Sequence, residues 1–459
     1  MMRNSSDKIL EPPRTVSLFG EFDVVVLGGG PAGIAAATSA ARNGSSVLII
    51  ERYGFLGGMG TAAGVTNFCG LYANVHGEIK QVVHGVTDEL LDRMRDLDGL
   101  NKPHLIFGKV YALSYDMSAF KCAADAMLEA AGVGILFHAL AVGVTLTDQG
   151  GIDTLLLETK SGRIAVRGGI FIDCSGDADL AQWSGVAFEK GTDAGDMLYP
   201  SLMFRIGGVD PEEAGEAWLK IPEVMRQTEK SGKYRFPRRG AIVRPQKNPT
   251  EWRANVTQLA DAQGRAIDGT DACALSAGEL EGRRQIIEYI KFLRNEIPGF
   301  QKSYVLDIAP QLGIRETRRI VGQYMLTAAD VLECANFEDT IGVNGWPLEK
   351  HIAGDVVWEW PAIPESRGYN QLPYRMMIPQ RADGTAVSNL LVAGRCASMT
   401  HDAQSAARVT GGCFVMGEAA GAAAELALRE GVPTAEIDIP QLQQMLVAQG
   451  VFLGGMRKR

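Results

Sequence analysis

The 459-residue chain has no Cys-x-x-Cys pair and no closely spaced Cys/His set; its seven cysteines, Cys69, Cys122, Cys174, Cys273, Cys334, Cys396 and Cys413, are scattered. That spacing supports neither a disulfide framework nor a zinc or iron–sulfur site, so no metal is expected and a reducing cytosol is the simpler setting. No stretch reaches the ~18 uninterrupted apolar residues of a membrane span, and Met1 to Gly20 has no continuous apolar segment of the kind that directs export. A soluble, cytoplasmic protein is therefore expected. Cations are in deficit, with 45 Lys and Arg against 54 Asp and Glu and a net charge of −9, which argues against a general nucleic-acid partner. Histidine is scarce at six residues, and no GxSxG, HExxH, Walker loop, internal repeat or low-complexity tract occurs. What remains is ordinary for a globular chain, 46% apolar and 22% charged, and long enough for two or three core-bearing units.

One segment is far from ordinary. Phe22 to Glu51 reads FDVVVLGGGPAGIAAATSAARNGSSVLIIE: an apolar run (Val24 to Leu27), Gly28-x-Gly30-x-x-Gly33, an Ala-rich stretch suited to a helix, a second apolar run (Val47 to Ile50) and an acid. This order, strand, turn, helix, strand, acid, is that of a dinucleotide site. Gly28 permits the tight turn, Gly30 lets backbone approach a pyrophosphate, and Gly33 lets the helix pack closely while its N-terminal amides face the phosphates. Glu51 ends the second strand where a carboxylate would accept hydrogen bonds from ribose hydroxyls.

After Arg52 the chain does not enter another βαβ unit, as NAD-dependent dehydrogenases usually do. It continues with Gly54, Gly57, Gly58, Gly60 and Gly64, little side chain to build a core, which favours a long cofactor lying along backbone, and ERYGFLGGMGTAAGV resembles the second cofactor signature of FAD enzymes. A helix is expected over Ser118 to Gly132, then an apolar run from Val133 to Val144, β-ribbon strands around Gly150-Gly151 and Ser161-Gly162, and a strand ending at Cys174-Ser175-Gly176-Asp177. Asn389-LLVAGR reads as a further buried strand and Val409 onward as a small-residue helix. Cofactor-like texture thus occupies 18–194 and resumes at 385–459, which ends in a C-terminal helix. The intervening 195–384 is expected to be an inserted α+β substrate domain, with a helix from Ser276 to Asn295 burying Leu280, Ile287, Ile290, Phe292 and Leu293. Within it, Arg226 to Arg253 carries nine Lys or Arg against two Glu. It is read as a solvated hairpin or subunit contact rather than an anionic-substrate site.

With these residues in view, the chain resembles bacterial FAD-dependent oxidoreductases of the glutathione-reductase and fumarate-reductase-like superfamily. The similar segments are GGGPAGIAAA, ERYGFLGGMGT, FIDCSGDADLA, LGIRETRRIVGQYMLT, WPLEKH, LPYRMMIPQ, NLLVAGRCASMTHDAQSAARV and GEAAGAAA. The resemblance implies an α/β fold: a Rossmann-like FAD-binding domain carrying the inserted substrate domain. It places the pyrophosphate at Gly28, Gly30, Pro31, Ala32 and Gly33, the ribose at Glu51, and the rest of the path near Arg52, Gly58, Met59 and Thr61. It further implies adenine against backbone at Val142, adenosine near Gly176, and the flavin between Gly394, Arg395 and the helix N-terminus at Thr410 and Gly411. Many relatives have Asp after Ala-Gly to hold the ribityl chain; Arg395 stands there here, and that contact does not carry over.

Flavin reduction by a C–H bond calls for a base that removes the partner proton, and histidine suits neutral pH. His401, between Arg395 and Thr410, is the first candidate, with packing against Asp402 or backbone as the alternative. His351 in WPLEKH is the second, with a surface loop as its alternative. Arg315 would either bind a substrate carboxylate or hydroxyl, or hold Glu316 or a neighbouring carbonyl. Asn255 and Arg375 are lesser pocket candidates, and His76, His84, His104 and His138 have no supporting constellation. Without a second GxGxxG, a stable NAD(P)H domain is not expected. Electrons should pass from a small organic substrate through flavin to an external acceptor: oxygen, a quinone or a redox protein. A flavin monooxygenase and a non-catalytic flavin-binding assembly protein stay open as alternatives, as does homo-oligomer formation.

Overall fold

The computed structural model describes residues 9–455. Part of the N-terminal segment read above, residues 1–8, lies outside them, as do 456–459. Four apolar strands run parallel in one sheet: Gly134–Leu136, Val47–Ile50, Ser17–Leu27 and Gly162–Asp173. Ile152–Thr159 pairs antiparallel with the first half of Gly162–Asp173, and Leu140–Leu146 pairs with Ile152–Thr159, forming the expected β-ribbon. The second half of Gly162–Asp173 is instead flanked by Leu390–Val392, in register Phe171 with Leu390 and Asp173 with Val392. A strand more than 200 residues downstream therefore completes the sheet. Register brings Leu27, Ile50, Asp173 and Val392 to one edge, so the chain leaves four strands side by side. In an open α/β sheet this carboxyl edge is where ligands bind.

The helix Pro31–Arg42 covers the sheet, and Thr410–Glu430 packs on it closely enough that a Cβ at Gly417 would lie 2.1 Å from the Ala32 carbonyl. The helix expected over Ser118 to Gly132 is Met117–Ala130, capped by Asp116. The apolar run Val133 to Val144 is two strands, broken at His138, whose φ of +55° is left-handed.

A second core holds Leu202, Phe204, Trp252, Ala254, Tyr289, Phe292 and Ile314 among others, around the sheet Ile242–Pro245, Trp252–Asn255, Phe204–Gly207, Tyr304–Ile308. It is narrower than the inserted segment expected from sequence. Residues beyond Ile314, among them Leu326, Ile341, Leu348 and Tyr374, pack into the core shared with the cofactor-side helices, because Thr340–Asn344 and Asn370–Pro373 pair with each other beneath Thr410–Glu430. The long helix runs Ala272–Glu296 and buries Ile286, Tyr289, Ile290, Phe292 and Leu293. Leu280 and Ile287, expected in that stripe, face solvent; the buried face passes instead through Gly278, Gly282 and Gln285, where small residues admit Leu312 and Leu202. No helix among the described residues is long and apolar enough to cross a membrane.

Candidate active site

The cradle at the sheet edge is built from backbone. Gly28 has φ +102°, and a Cβ there would lie 2.4 Å from the Cys174 carbonyl; one at Gly33 would lie 1.8 Å from the Gly28 carbonyl. Only glycine lets strand, turn and helix meet this closely. Gly30 differs, since its Cβ would meet only Gly58, at 3.6 Å, so the space beyond belongs to a cavity rather than to protein. Pro31 starts the helix at a position that needs no amide donor, and no side chain caps that end, which leaves the first-turn amides for a ligand. Glu51 is buried, and its carboxylate accepts from the Gly29 amide at 2.8 Å and the Tyr53 amide at 3.0 Å. Through these bonds it braces the glycine turn, a role beside the ribose contact expected of it. Burial pushes its carboxyl above the usual range, with those amides acting in the opposite sense.

From the cradle a cavity of about 830 Å³ runs to the second core. Gly28, Gly30, Pro31, Ala32, Glu51 and Arg52 line one end, and Gly58, Met59, Gly176, Gly394, Arg395 and Thr410 the middle. Four expected contacts lie off the wall. Gly33 is spent on helix packing, and the Thr61 hydroxyl donates to the Leu56 carbonyl at 2.7 Å. The wall beside Val142 is formed by Ala139, Leu140 and Ala141. Gly411 packs on Gly70, and its amide donates to the Cys69 carbonyl at 2.9 Å, so that group is not free for a flavin. Arg395 is a strut: it donates to the Gly176 carbonyl (2.8 Å), the Ile314 carbonyl (2.7 Å) and Asp177 (2.8 Å), tying strand ends to the second core.

The far end is polar and cationic. On the strand Leu348–Ile352, Glu349 and His351 share a face by the two-residue period, and His351 Nε2 lies 3.2 Å from Glu349 Oε1. The other carboxylate oxygen accepts from Trp346 Nε1 at 2.9 Å. His351 lines the cavity. Burial, then Arg315, Arg238 and Arg408, hold its imidazole well below the ordinary pKa, so it stays neutral.

Arg315 also lines this end and meets both of its expected roles halfway. Nη1 donates to the Tyr199 carbonyl (2.7 Å) and Ser201 Oγ (3.0 Å), not to Glu316, while Nη2 approaches Asn255 Oδ1 at 3.4 Å. Asn255 is thus a lining residue; Arg375, paired with Asp339, is not. The basic stretch Arg226 to Arg253 divides: Arg226, Lys230, Lys233, Arg235, Arg239 and Lys247 are exposed, as a solvated face requires, but Arg238, Arg244 and Arg253 correct that reading. The strand Trp252–Asn255 is buried throughout: Trp252 and Ala254 face the second core while Arg253 and Asn255 face the cavity, and Arg244 joins them there. Arg238 is buried behind, donating to Asn255 Oδ1 at 2.8 Å. His104, for which the sequence offered no role, also lines the wall, and burial with Arg253 and Arg244 depresses its pKa to about 4.

His401 sits elsewhere. It opens the helix His401–Ala407, and Nδ1 lies 2.8 Å from Glu316, off the cavity wall. Glu316 is fully buried and also receives the Gly191 and Leu198 amides and Arg319, so His401 belongs to a network that pins the 191–198 loop. Nearness in sequence to Thr410 did not fix which way the side chain points. No group of three or more metal-ligating side chains is found among the described residues.

A glycine cradle at the carboxyl edge of a parallel sheet, an uncapped helix N-terminus and a buried acid closing the second strand define a Rossmann-like dinucleotide-binding protein. The chain belongs to the FAD dependent oxidoreductase family, which it matches over residues 23–446; it is an enzyme, and FAD is its cofactor. No curated protein sequence matches it. Among solved structures it is similar to a geranylgeranyl bacteriochlorophyll reductase-like protein from Thermoplasma acidophilum, at 14% identity and TM-score 0.45, covering 95% of this chain and 84% of that one. It is also similar to p-nitrophenol 4-monooxygenase from Pseudomonas putida DLL-E4, at 12% identity and TM-score 0.46, covering 96% and 91%.

Proposed function

We propose that the protein is a dehydrogenase or oxidase of a small organic molecule, with His351 as the base that takes the substrate proton. The observation that carries this reading is the Glu349–His351 pair in the wall of the cofactor cavity. When bound, FAD would supply the hydride acceptor; Gly28, Gly30 and Ala32 would hold its phosphates, Glu51 its ribose, and Gly394 and Thr410 would flank the ring. Glu349 accepts the Nε2 proton and so fixes the tautomer, leaving Nδ1 with its lone pair. The same carboxylate stabilises the imidazolium once the proton arrives. Reoxidation would fall to an external acceptor: oxygen, a quinone or a redox protein.

The test is anaerobic mixing of FAD-loaded protein with a panel of alcohols, amines and organic acids, following loss of flavin absorbance. One compound class should bleach the flavin without NAD(P)H. A flavin reduced only by NAD(P)H, with substrate then consumed together with oxygen, would replace this reading by the monooxygenase one.

A further inference from the structure

The cavity holds more cationic charge than the protein neutralises. Arg244, Arg253, Arg315 and Arg408 line its far end beside Glu349 and Asp355, with Arg238 buried behind them, and no ion pair to any of the five arginines is found among the described residues. Arg238 and Arg253 are only 1% and 3% exposed, yet Nε and Nη2 of Arg238 and Nε of Arg253 have no hydrogen-bond partner, and neither do Nε and Nη2 of Arg408. Buried guanidinium donors are costly to leave unmade, and a planar fork of them fits a carboxylate in geometry as well as charge.

A wall of different character starts at the same place. Trp346, bonded to Glu349, packs against Trp358 with ring centres 5.9 Å apart, and Trp358 against Phe107 at 5.3 Å. Phe107 is 67% exposed, so an aromatic surface leads from the arginines out to solvent. Trp218, with Arg244 over its ring at 5.5 Å, also lines the cavity. Exposed apolar area of this kind, continuous with a polar pocket, is unusual unless a ligand covers it.

We propose that the substrate is an amphipathic organic acid, its carboxylate held by Arg253, Arg315 and Arg408 and its apolar body laid along Trp346, Trp358 and Phe107. The inference rests on the reading of this cavity as the substrate site.

Binding is separable from turnover, and the test uses that. FAD-loaded protein is titrated with 3-phenylpropionate, 3-phenylpropionamide and propionate, reading the flavin difference spectrum and the melting temperature. The acid with the phenyl body should bind at least about tenfold more tightly than either the amide or the short acid. Arg253→Met should erase the preference for acid over amide, and Trp358→Ala the preference for phenylpropionate over propionate. The wild-type ligand comparison stands even if a buried-arginine variant fails to fold. An amide that binds as well as the acid, or a short acid that binds as well as the long one, overturns the proposal. Selective binding of the acids with no flavin reduction by any compound supports this proposal and counts against the dehydrogenase reading. Reduction by neutral alcohols or amines with no acid binding does the reverse.

Discussion

His351 Nε2 lies 3.2 Å from Glu349 Oε1, two residues away on one strand, and both side chains line the cavity that begins at the dinucleotide cradle. The pair joins two consequences of a single sequence spacing. Alternation along a strand puts positions i and i+2 on the same face, and a carboxylate there sets both the orientation and the tautomer of the imidazole. Burial and the surrounding arginines then set its charge.

Gly30→Val should abolish FAD binding, because its side chain would enter the space that the cavity reserves beside Gly58. Glu51→Ala should weaken binding less, acting through the Gly29 and Tyr53 amides that it leaves without an acceptor. Equilibrium dialysis against FAD separates the two. Parent-like affinity in Gly30→Val would mean that the phosphates lie elsewhere.

The pH dependence of stability should carry the mark of His351. Its folded pKa is depressed below the ordinary 6.5, so below that pH the unfolded chain binds a proton that the folded protein refuses. The contribution is fully present above pH 6.5 and is lost as pH falls through the window between 6.5 and the lower folded value. Urea denaturation from pH 7.5 to 5 should therefore show a shallower loss of stability in His351→Gln than in the parent. Parallel losses would mean that the imidazole is charged in the folded protein.

Glu418 predicts the opposite slope at the other end of the scale. It is buried on the helix Thr410–Glu430, where it accepts from the Val86 amide, and burial pushes its carboxyl up to about 8 from 4.5. Folding then favours the protonated form, so this contribution is complete below pH 4.5 and disappears as pH rises through 8. Glu418→Gln keeps an acceptor for Val86 and should be more stable than the parent at pH 9, by up to about 5 kcal/mol, with little difference near pH 4.5. A difference equal at both ends would exclude titration of Glu418 as its cause.

The cradle was legible because its glycines encode backbone demands: each added Cβ at Gly28 or Gly33 would strike a neighbouring carbonyl. Sheet edge strands such as Leu390–Val392 were legible as buried apolar runs ending in glycine. The arginines were not. A basic stretch with tyrosine and tryptophan looks like a solvated face, and only pairing of Ile242–Pro245 with Trp252–Asn255 turns Arg253 and Asn255 toward the cavity. The signal available was alternation, since Trp-Arg-Ala-Asn offers two apolar residues to a core and two polar ones to its opposite face. For His401, chain proximity to the flavin-side helix was a weaker guide than strand alternation was for His351. The helix His401–Ala407 directs its first residue to Glu316, a partner 85 positions away that no local pattern indicates.

The most direct test is single-turnover flavin reduction, by anaerobic rapid mixing with a compound that bleaches the parent, in FAD-loaded His351→Gln and His401→Gln proteins. His351→Gln should retain FAD and slow reduction by about 10²–10⁴, the usual cost of losing a general base. His401→Gln should reduce flavin at close to the parent rate while melting at a lower temperature, because it loses only its bond to Glu316. Parent-like reduction in His351→Gln together with a slow His401→Gln would contradict the account and return the base to the helix at Thr400.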